Sequence, residues 1–168
     1  MPTLDSFRTF VFRSASTVPS WKRSVSALHM PERFSQDARM VSFLAHEHAF
    51  RLGHNCVSTD HLALALLDER RALALLQNTG ANVDGVRRAI ALRMASEPES
   101  TERDTELPRS SMLHKAWGDA HVIADRRGAW LIEPEHLLLA LLVPTKDGRL
   151  FKTGRDLLAS GFGHNSSE

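Results

Sequence analysis

The chain has 168 residues, which fits one domain or two small repeats that share a core. Lysine and arginine total 21 against 20 acids, so the composition gives no support for a nucleic-acid-binding protein. The single cysteine excludes an intramolecular disulfide and a cysteine-based zinc cluster, and the longest apolar run, 137–143, is far too short for a membrane span. Tyrosine is absent and leucine and alanine are abundant, which favours helices.

Residues 1–30 read as a basic leader, with four basic side chains and one acid up to residue 29. The segment is rich in serine and threonine and has no sustained helical stripe. Three interpretations remain open: a disordered tail, an organelle transit peptide, or upstream sequence with translation starting at Met30. A secretory signal is not predicted, because the segment lacks an apolar core of about 7–15 residues.

Hydrophobic periodicity predicts four helices in the first half of the chain, over residues 35–52, 60–67, 71–77 and 83–94. Ser35, Thr59 and Asn82 suit the N-caps of the first, second and fourth helices, and Gly53 ends the first. The second helix is apolar on nearly all sides, so we expect it at the centre of the core.

Residues 96–108 carry five acids and two prolines and are predicted to be a linker. After it the pattern returns with a constant offset of 75 residues, which matches Ser35 with Ser110, His46 with His121, Gly53 with Gly128 and His61 with His136. This internal repeat predicts an all-α fold of two tandem four-helix units.

The predicted domain limits are 31–95 for the first repeat, 109–162 for the second and 163–168 for a tail. The second repeat contains an insertion of about six residues within 143–153. It has too few residues after Gly161 for a fourth helix, so it is expected to be incomplete. An apolar groove should then be exposed, unless a partner or the leader covers it.

Three segments of the first repeat carry a family resemblance: Phe34–Arg39, Leu52–Asn55 and Ser58–Leu62. Together they resemble the N-terminal domains of the Clp AAA+ unfoldases, most closely the ClpC type. The resemblance covers about residues 31–162. The second repeat keeps Pro134-Glu-His-Leu137, but Ala129-Trp130 replaces the His-Asn pair that follows the glycine of the first repeat.

The resemblance implies an all-helical double repeat with pseudo-twofold symmetry and a role in recognising proteins. Nothing in the chain fits the Gly-x-x-x-x-Gly-Lys-Ser/Thr loop that an unfoldase needs to bind ATP. The chain is therefore interpreted as the recognition domain without the motor.

Four histidines lie within sixteen residues and raise the alternative of a small metal-dependent hydrolase: His46, His48, His54 and His61. On a helix, residues two apart point about 200° apart, so the first two do not easily share an ion. Cys56 lacks the orienting group that a cysteine–histidine dyad needs. We therefore predict no enzyme, no catalytic residue, no metal and no cofactor.

His61 and His136 have a simpler interpretation as structural residues. Each is expected in the first turn of a buried helix, where its ring can hydrogen-bond loop carbonyls. Gly53 and Gly128 are also predicted to be structural, because each ends the preceding helix.

Two hydroxyl–acid pairs are candidate ligand contacts: Ser35 with Asp60, and Ser110 with Glu135. Helix N-termini favour phosphate, and a carboxylate favours a guanidinium. In ClpC-type domains, the matching hydroxyl and acid dock phosphoarginine. Here Asp60 is shorter than the usual glutamate and serine replaces threonine, and ordinary helix capping explains all four residues equally well.

We interpret the chain as a non-catalytic protein-binding module that serves as adaptor, accessory subunit or decoy for a Clp unfoldase. Expected partners are Clp unfoldase or ClpP-type protease components, adaptor proteins, and protein substrates, including arginine-phosphorylated ones. Nucleic acid and membranes are not expected as partners, and the chain is expected to be a monomer. The expected location is the bacterial cytoplasm, or an organelle stroma or matrix if residues 1–29 are a transit peptide.

Overall fold

The computed structural model describes residues 32–96, 107–144, 148 and 150–160. These ranges contain seven helices: α1 Gln36–Arg51, α2 Thr59–Asp68, α3 Arg70–Asn78, α4 Val83–Met94, α5 Ser111–Arg126, α6 Pro134–Leu142 and α7 Lys152–Ala159. The all-α prediction is confirmed. The basic leader, most of the predicted linker and the tail lie outside the described residues, as do the residues on which the prediction of a missing fourth helix rests. None of the helices in the described ranges is both long and apolar enough to cross a membrane.

The predicted caps of the long helices are confirmed. Ser35 Oγ accepts a hydrogen bond from the amide of Ala38, and Ser110 Oγ accepts the equivalent bond from Leu113, both at 3.1 Å. Asn82 caps α4 by accepting from the amide of Gly85. Each of these bonds satisfies one of the amides that a helix N-terminus leaves without an internal partner.

The N-cap of α2 is Ser58, so the prediction of Thr59 was wrong by one residue. The amide of Ser58 donates to Nδ1 of His61 at 2.9 Å. A side chain at the third helical position that reaches back to the cap amide forms one half of a capping box. That bond fixes the start of α2 at Thr59.

The two central helices are buried, as predicted. In α2 every residue from Asp60 to Leu67 is buried, and in α6 the same holds for most of Pro134–Leu141. Helix α1 packs on α2, and α5 packs on α6 in the same manner. The apolar sequences of α2 and α6 thus form a common core rather than two separate ones.

Among the described residues, two short backbone bridges join the repeats and confirm the pseudo-twofold relation. Phe34 pairs with Ile132, and Val57 pairs with Arg109. These are the same bridge seen from each repeat, because Phe34 and Arg109 are 75 residues apart, as are Val57 and Ile132. The amide of Ser110 donates to Val57 at 2.9 Å, so each repeat completes the backbone hydrogen bonding of the other.

The end of the predicted linker and the end of the predicted insertion both belong to the core. Leu107 is buried, and the carbonyl of Pro108 accepts from the amide of Val57. Helix α7 begins at Lys152, where a loop was expected, and both Phe151 and Thr153 are buried. The reason is that α7 packs against α2, α4 and α6 and buries its own N-terminus there.

Candidate functional site

The two candidate acids occupy equivalent places in the first turns of the central helices. Asp60 lies in α2 and Glu135 lies in α6. Asp60 is nevertheless buried, whereas the side chain of Glu135 is 44% exposed. The two positions therefore differ in what they offer to a ligand.

Asp60 is held by two side chains from distant helices. The guanidinium of Arg93 in α4 binds both carboxylate oxygens of Asp60 at 2.8 Å, in a two-pronged pair. The hydroxyl of Thr153 in α7 donates to the same carboxylate at 2.8 Å. Arg93 also forms an ion pair with Asp156 of α7. We call Asp60, Arg93, Thr153 and Asp156 the Asp60 cluster.

The electrostatics of the Asp60 cluster favour the ionised forms of Asp60 and Arg93. Burial alone would raise the pKa of Asp60, but the hydrogen bonds from Arg93 and Thr153 and the charge of Arg93 outweigh it, so the pKa lies below 3.8. The hydrogen bond to Asp60 likewise raises the pKa of Arg93. A charged, fully paired cluster of this kind is closed to an external guanidinium.

Glu135 is the open counterpart of Asp60. The ring of His136 lies beside it, with Nε2 3.8 Å from Oε1 of Glu135. Within the described ranges no lysine or arginine pairs with it. The fourth helix supplies Arg93 to the first repeat, and no described helix takes that place beside Glu135. A carboxylate in this setting can accept a guanidinium from another molecule.

The two candidate hydroxyls lie beside the opposite repeat. The amide of Ser35 donates to Ile132, just before α6, and the amide of Ser110 donates to Val57, just before α2. Backbone pairing thus brings Ser35 towards the start of the helix that carries Glu135. The described contacts of the two hydroxyls are caps, and none of them joins a serine to either acid.

His61 and His136 close the start of their helices in the same manner. Nδ1 of His136 accepts from the amide of Glu133 at 3.0 Å, as Nδ1 of His61 does from Ser58. Both rings therefore accept a hydrogen bond from a backbone amide, whereas we expected them to bond loop carbonyls. The predicted structural glycines fit as well: Gly53 and Gly128 have φ of 70° and 68°, the left-handed conformation that ends α1 and α5.

Among the described residues, His61 bonds a second imidazole, and His136 does not. Because Nδ1 of His61 accepts from Ser58, the proton of the neutral ring lies on Nε2, which donates to Nδ1 of His54 at 2.8 Å. Burial and the neighbouring histidines lower the pKa of His61 to about 3. Burial also lowers the pKa of His136, against the charge of Glu135.

Two of the four histidines of the metal hypothesis, His54 and His61, bond each other, and the other two have separate partners. Nε2 of His46 accepts from the amide of Leu107, and Nε2 of His48 lies 3.5 Å from a carboxylate oxygen of Asp68. In the part of the chain that the structure describes, no three histidine, cysteine, aspartate or glutamate side chains form a group that could hold a metal ion. The geometry gives no support for the metal-dependent hydrolase.

Sequence reasoning missed Arg93 and Thr153, the two residues that close the first acid. They are 33 and 93 residues from Asp60 along the chain. One signal was present: Arg93 follows the inward-facing Ile90 by three residues, so it lies on the side of α4 that faces the core.

Comparison with known proteins identifies the fold and its relatives. Residues 33–152 match the model of the Clp repeat (R) N-terminal domain family. The chain is 30% identical over 112 residues to the negative regulator of genetic competence ClpC/MecB of Bacillus subtilis, which covers 66% of this chain and 14% of that protein. It is 33% identical over 133 residues to the chloroplastic chaperone protein ClpC1 of Arabidopsis thaliana, which covers 77% of this chain and 14% of that protein. The chain thus spans only a small part of the length of these relatives.

Solved structures show the same fold. The N-domain of ClpV from Vibrio cholerae superimposes with a TM-score of 0.64 at 17% identity, covering 91% of this chain and 88% of that one. The Hsp104 N-terminal domain from Candida albicans gives 0.63 at 16% identity, covering 82% and 94%. A complex of the ClpV N-domain with a VipB peptide gives 0.62 at 18% identity, covering 89% and 88%.

Proposed function

This chain belongs to the family of Clp repeat N-terminal domains, and from that premise we propose that it is a protein-binding module that presents or competes for the ligands of a Clp unfoldase. The match of residues 33–152 to the family is the observation that carries the proposal. A structural neighbour, the ClpV N-domain, has been solved with a bound peptide, which supports a polypeptide as the ligand class. The role is that of adaptor, accessory subunit or decoy, without catalysis of its own.

A reconstituted degradation assay tests this proposal and separates the three roles. Increasing amounts of the purified chain are added to a ClpC-type unfoldase, its protease and an adaptor-dependent substrate. An adaptor raises the degradation rate, a decoy lowers it until more adaptor is added, and an accessory subunit co-elutes with the unfoldase–protease complex. No change in rate and no binding to unfoldase, protease or adaptor would contradict all three.

A finer proposal concerns the ligand: Glu135 contacts the guanidinium of an arginine-phosphorylated substrate. Its exposure supports this role, whereas Asp60 already holds the guanidinium of Arg93. Ser35 is the nearer of the two cap hydroxyls along the backbone pairing, because its amide is bonded to the segment just before α6. By the same pairing, Ser110 lies towards the start of α2, where Arg93 of the same chain already occupies the carboxylate of Asp60.

Calorimetry with free phosphoarginine tests the finer proposal. We expect heat with the wild-type chain and about 10- to 100-fold weaker binding for Glu135→Gln, since a charge-assisted pair contributes about 1.5–3 kcal/mol. Glu32→Gln is the matched control, because Glu32 is an exposed glutamate near Ser35 in sequence, and it should bind as the wild type does. Absence of heat with the wild-type chain would leave the four residues as caps and structural groups only.

The location and assembly state form the last part of the proposal. The chain acts as a monomer in the bacterial cytoplasm, or in an organelle stroma or matrix if residues 1–29 direct import. N-terminal sequencing of the endogenous protein separates these cases. A start at Met1 argues against Met30 as the initiator, and a start between the two indicates removal of a transit peptide.

A further inference from the structure

A small pocket lies where α1 of the first repeat faces α5 of the second. Ser42, His46, Arg109 and Trp117 form its polar wall, and Leu62 and Leu113 are among its apolar lining. We call it the seam pocket. It has room for about one water-sized group, so a ligand can place one oxygen atom of a functional group inside it.

Two groups on the polar wall already have partners. The hydroxyl of Ser42 donates to the carbonyl of Ala38 at 3.0 Å. Nε2 of His46 accepts from the amide of Leu107 at 3.2 Å. Arg109 and Trp117 are the other two polar groups of this wall.

Within the ranges that the structure describes, the indole N–H of Trp117 is buried without a hydrogen-bond acceptor. The residue is only 6% exposed, and its Nε1 has no hydrogen-bond acceptor in the described structure. A buried polar group that makes no hydrogen bond is unfavourable, because it has given up its hydrogen bonds to water without replacing them. An indole nitrogen can only donate, so the missing partner must be an acceptor.

Arg109 brings a positive charge to the same pocket. Its guanidinium lies 4.7 Å from the centroid of the Trp117 ring, in a cation–π contact, and it is half-buried. Burial lowers the pKa of Arg109, and no described carboxylate pairs with it. The equivalent position of the first repeat is Phe34, whose ring packs edge-on against Trp117 at 5.1 Å. One repeat thus places an aromatic ring against Trp117, and the other places an unneutralised cation there.

We propose that the seam pocket binds one carboxylate of a partner polypeptide, held between the Arg109 guanidinium and the Trp117 indole N–H. A carboxylate supplies both missing features, since it is an acceptor and carries a negative charge. Its source is either an aspartate or glutamate side chain or a C-terminal carboxylate. This site is separate from Glu135, which would take a cation.

Titration with acetate, followed by the indole N–H resonance of Trp117 in NMR spectra, tests carboxylate binding directly. The signal is assigned by its loss in Trp117→Phe. We expect a saturable downfield shift with acetate and none with acetamide at equal ionic strength. Arg109→Gln should weaken acetate binding by about tenfold, while Arg126→Gln should leave it unchanged, because Arg126 is an exposed arginine at the far end of α5, the helix that carries Trp117.

Two blocked amino acids then identify the source of the carboxylate. N-acetyl-aspartate amide presents a side-chain carboxylate, and N-acetyl-glycine presents a terminal one. The compound that binds more tightly indicates the source of the carboxylate. A folded Arg109→Gln variant with unchanged acetate affinity, or no saturable shift in the wild-type chain, would overturn the proposal and leave a water molecule as the indole's partner.

The chain's own acidic stretch is the competing occupant. Changing Glu102, Asp104 and Glu106 to their amides should leave acetate affinity unchanged, and a clear increase would overturn the assignment to an external ligand. The inference rests on the proposed function only for the polypeptide origin of the carboxylate. Acetate binding without effect in the degradation assay would therefore reject the function and keep the site.

Discussion

The two repeats share a backbone plan and differ in the chemistry at the start of their central helix. Asp60 and Glu135 occupy matching positions, yet the side chain of the first is 10% exposed and that of the second 44%. The difference comes from α4, which supplies Arg93 to the first repeat. Pseudo-twofold symmetry of the fold therefore does not make the two acids equivalent, and only one of them is open to a ligand.

The histidines repeat the lesson. His61 and His136 make the same bond to a cap amide, but only His61 continues to a second imidazole. The equivalent of His54 in the second repeat is Ala129, which has no ring to offer. In the first repeat, side chains of the protein itself thus occupy the acid and the histidine at the start of the central helix. The matching groups of the second repeat remain open.

Removing the arginine of the Asp60 cluster should have the largest effect. Arg93→Met leaves the Asp60 carboxylate buried without its counter-charge, and we expect the free energy of unfolding to fall by about 3–5 kcal/mol in denaturant titrations at pH 7. The double variant Asp60→Asn/Arg93→Met should recover part of the loss. In contrast, Glu135→Gln should change stability by less than about 0.5 kcal/mol. Equal losses at the two acids would contradict the comparison.

A methyl group on Gly154 tests how tightly α7 is seated in the second repeat. Its Cβ would meet the carbonyl oxygen of Leu141 in α6, a backbone atom that cannot move aside cheaply. Gly154→Ala should therefore cost roughly 3 kcal/mol of stability. Gly118→Ala in α5 is the matched control, because its Cβ would meet nothing within 4 Å, and it should be neutral or stabilise by about 0.5–1 kcal/mol. A neutral Gly154→Ala would show that α7 is loosely held.

Lowering the pH should reduce the free energy of unfolding through the titration of His61. His61 has a folded pKa of about 3 against 6.5 when unfolded, so its contribution is complete above pH 6.5 and is lost as the pH falls towards 3. At pH 5 the loss is about 2 kcal/mol. His61→Gln keeps a side chain that can bond the cap amide but removes the titration. Its unfolding free energy should therefore depend less on pH between 7 and 5 than that of the wild type, and an unchanged slope would contradict the prediction.

Asp60 contributes to the pH dependence of stability only at lower pH, since its contribution is lost as the pH falls below 3.8.

The smallest effect tests what the repeats have in common. Ser35→Ala and Ser110→Ala each remove one cap bond of 3.1 Å. Each should cost about 1 kcal/mol, and the two losses should agree, because capping depends on local geometry that both repeats share. Thermal unfolding of the two variants and their threonine counterparts measures this. A loss at only one serine would mean that it has a partner besides its helix.

Local signals explain why the helices were predictable from the sequence. Caps at Ser35, Asn82 and Ser110, the glycines that end α1 and α5, and the periodicity of the apolar residues all act within a few positions. The α2 cap was misplaced between two adjacent hydroxyl residues. The histidine three positions after Ser58 was the information that would have decided it.

Long-range pairings were out of reach of the same reasoning. The closure of Asp60 depends on residues from two other helices, and the seam pocket depends on Arg109 and Trp117 meeting α1 of the other repeat. Each of these residues looks like an ordinary charged, polar or core residue in its own segment. The loop interpretation of Phe151–Thr153 failed for the same reason, since only the tertiary packing of α7 makes that stretch part of the core.

The reciprocal bridges at Phe34–Ile132 and Val57–Arg109 bear on how the molecule unfolds. A short extended segment of each repeat is hydrogen-bonded to the backbone of the other. A fragment that contains one repeat would therefore have backbone amides and carbonyls without their hydrogen-bond partners. Cleavage within 97–106 should therefore yield two pieces that remain associated and melt together as one cooperative unit. Produced separately, the pieces should be poorly folded, and mixing them should restore the helical circular dichroism of the intact chain.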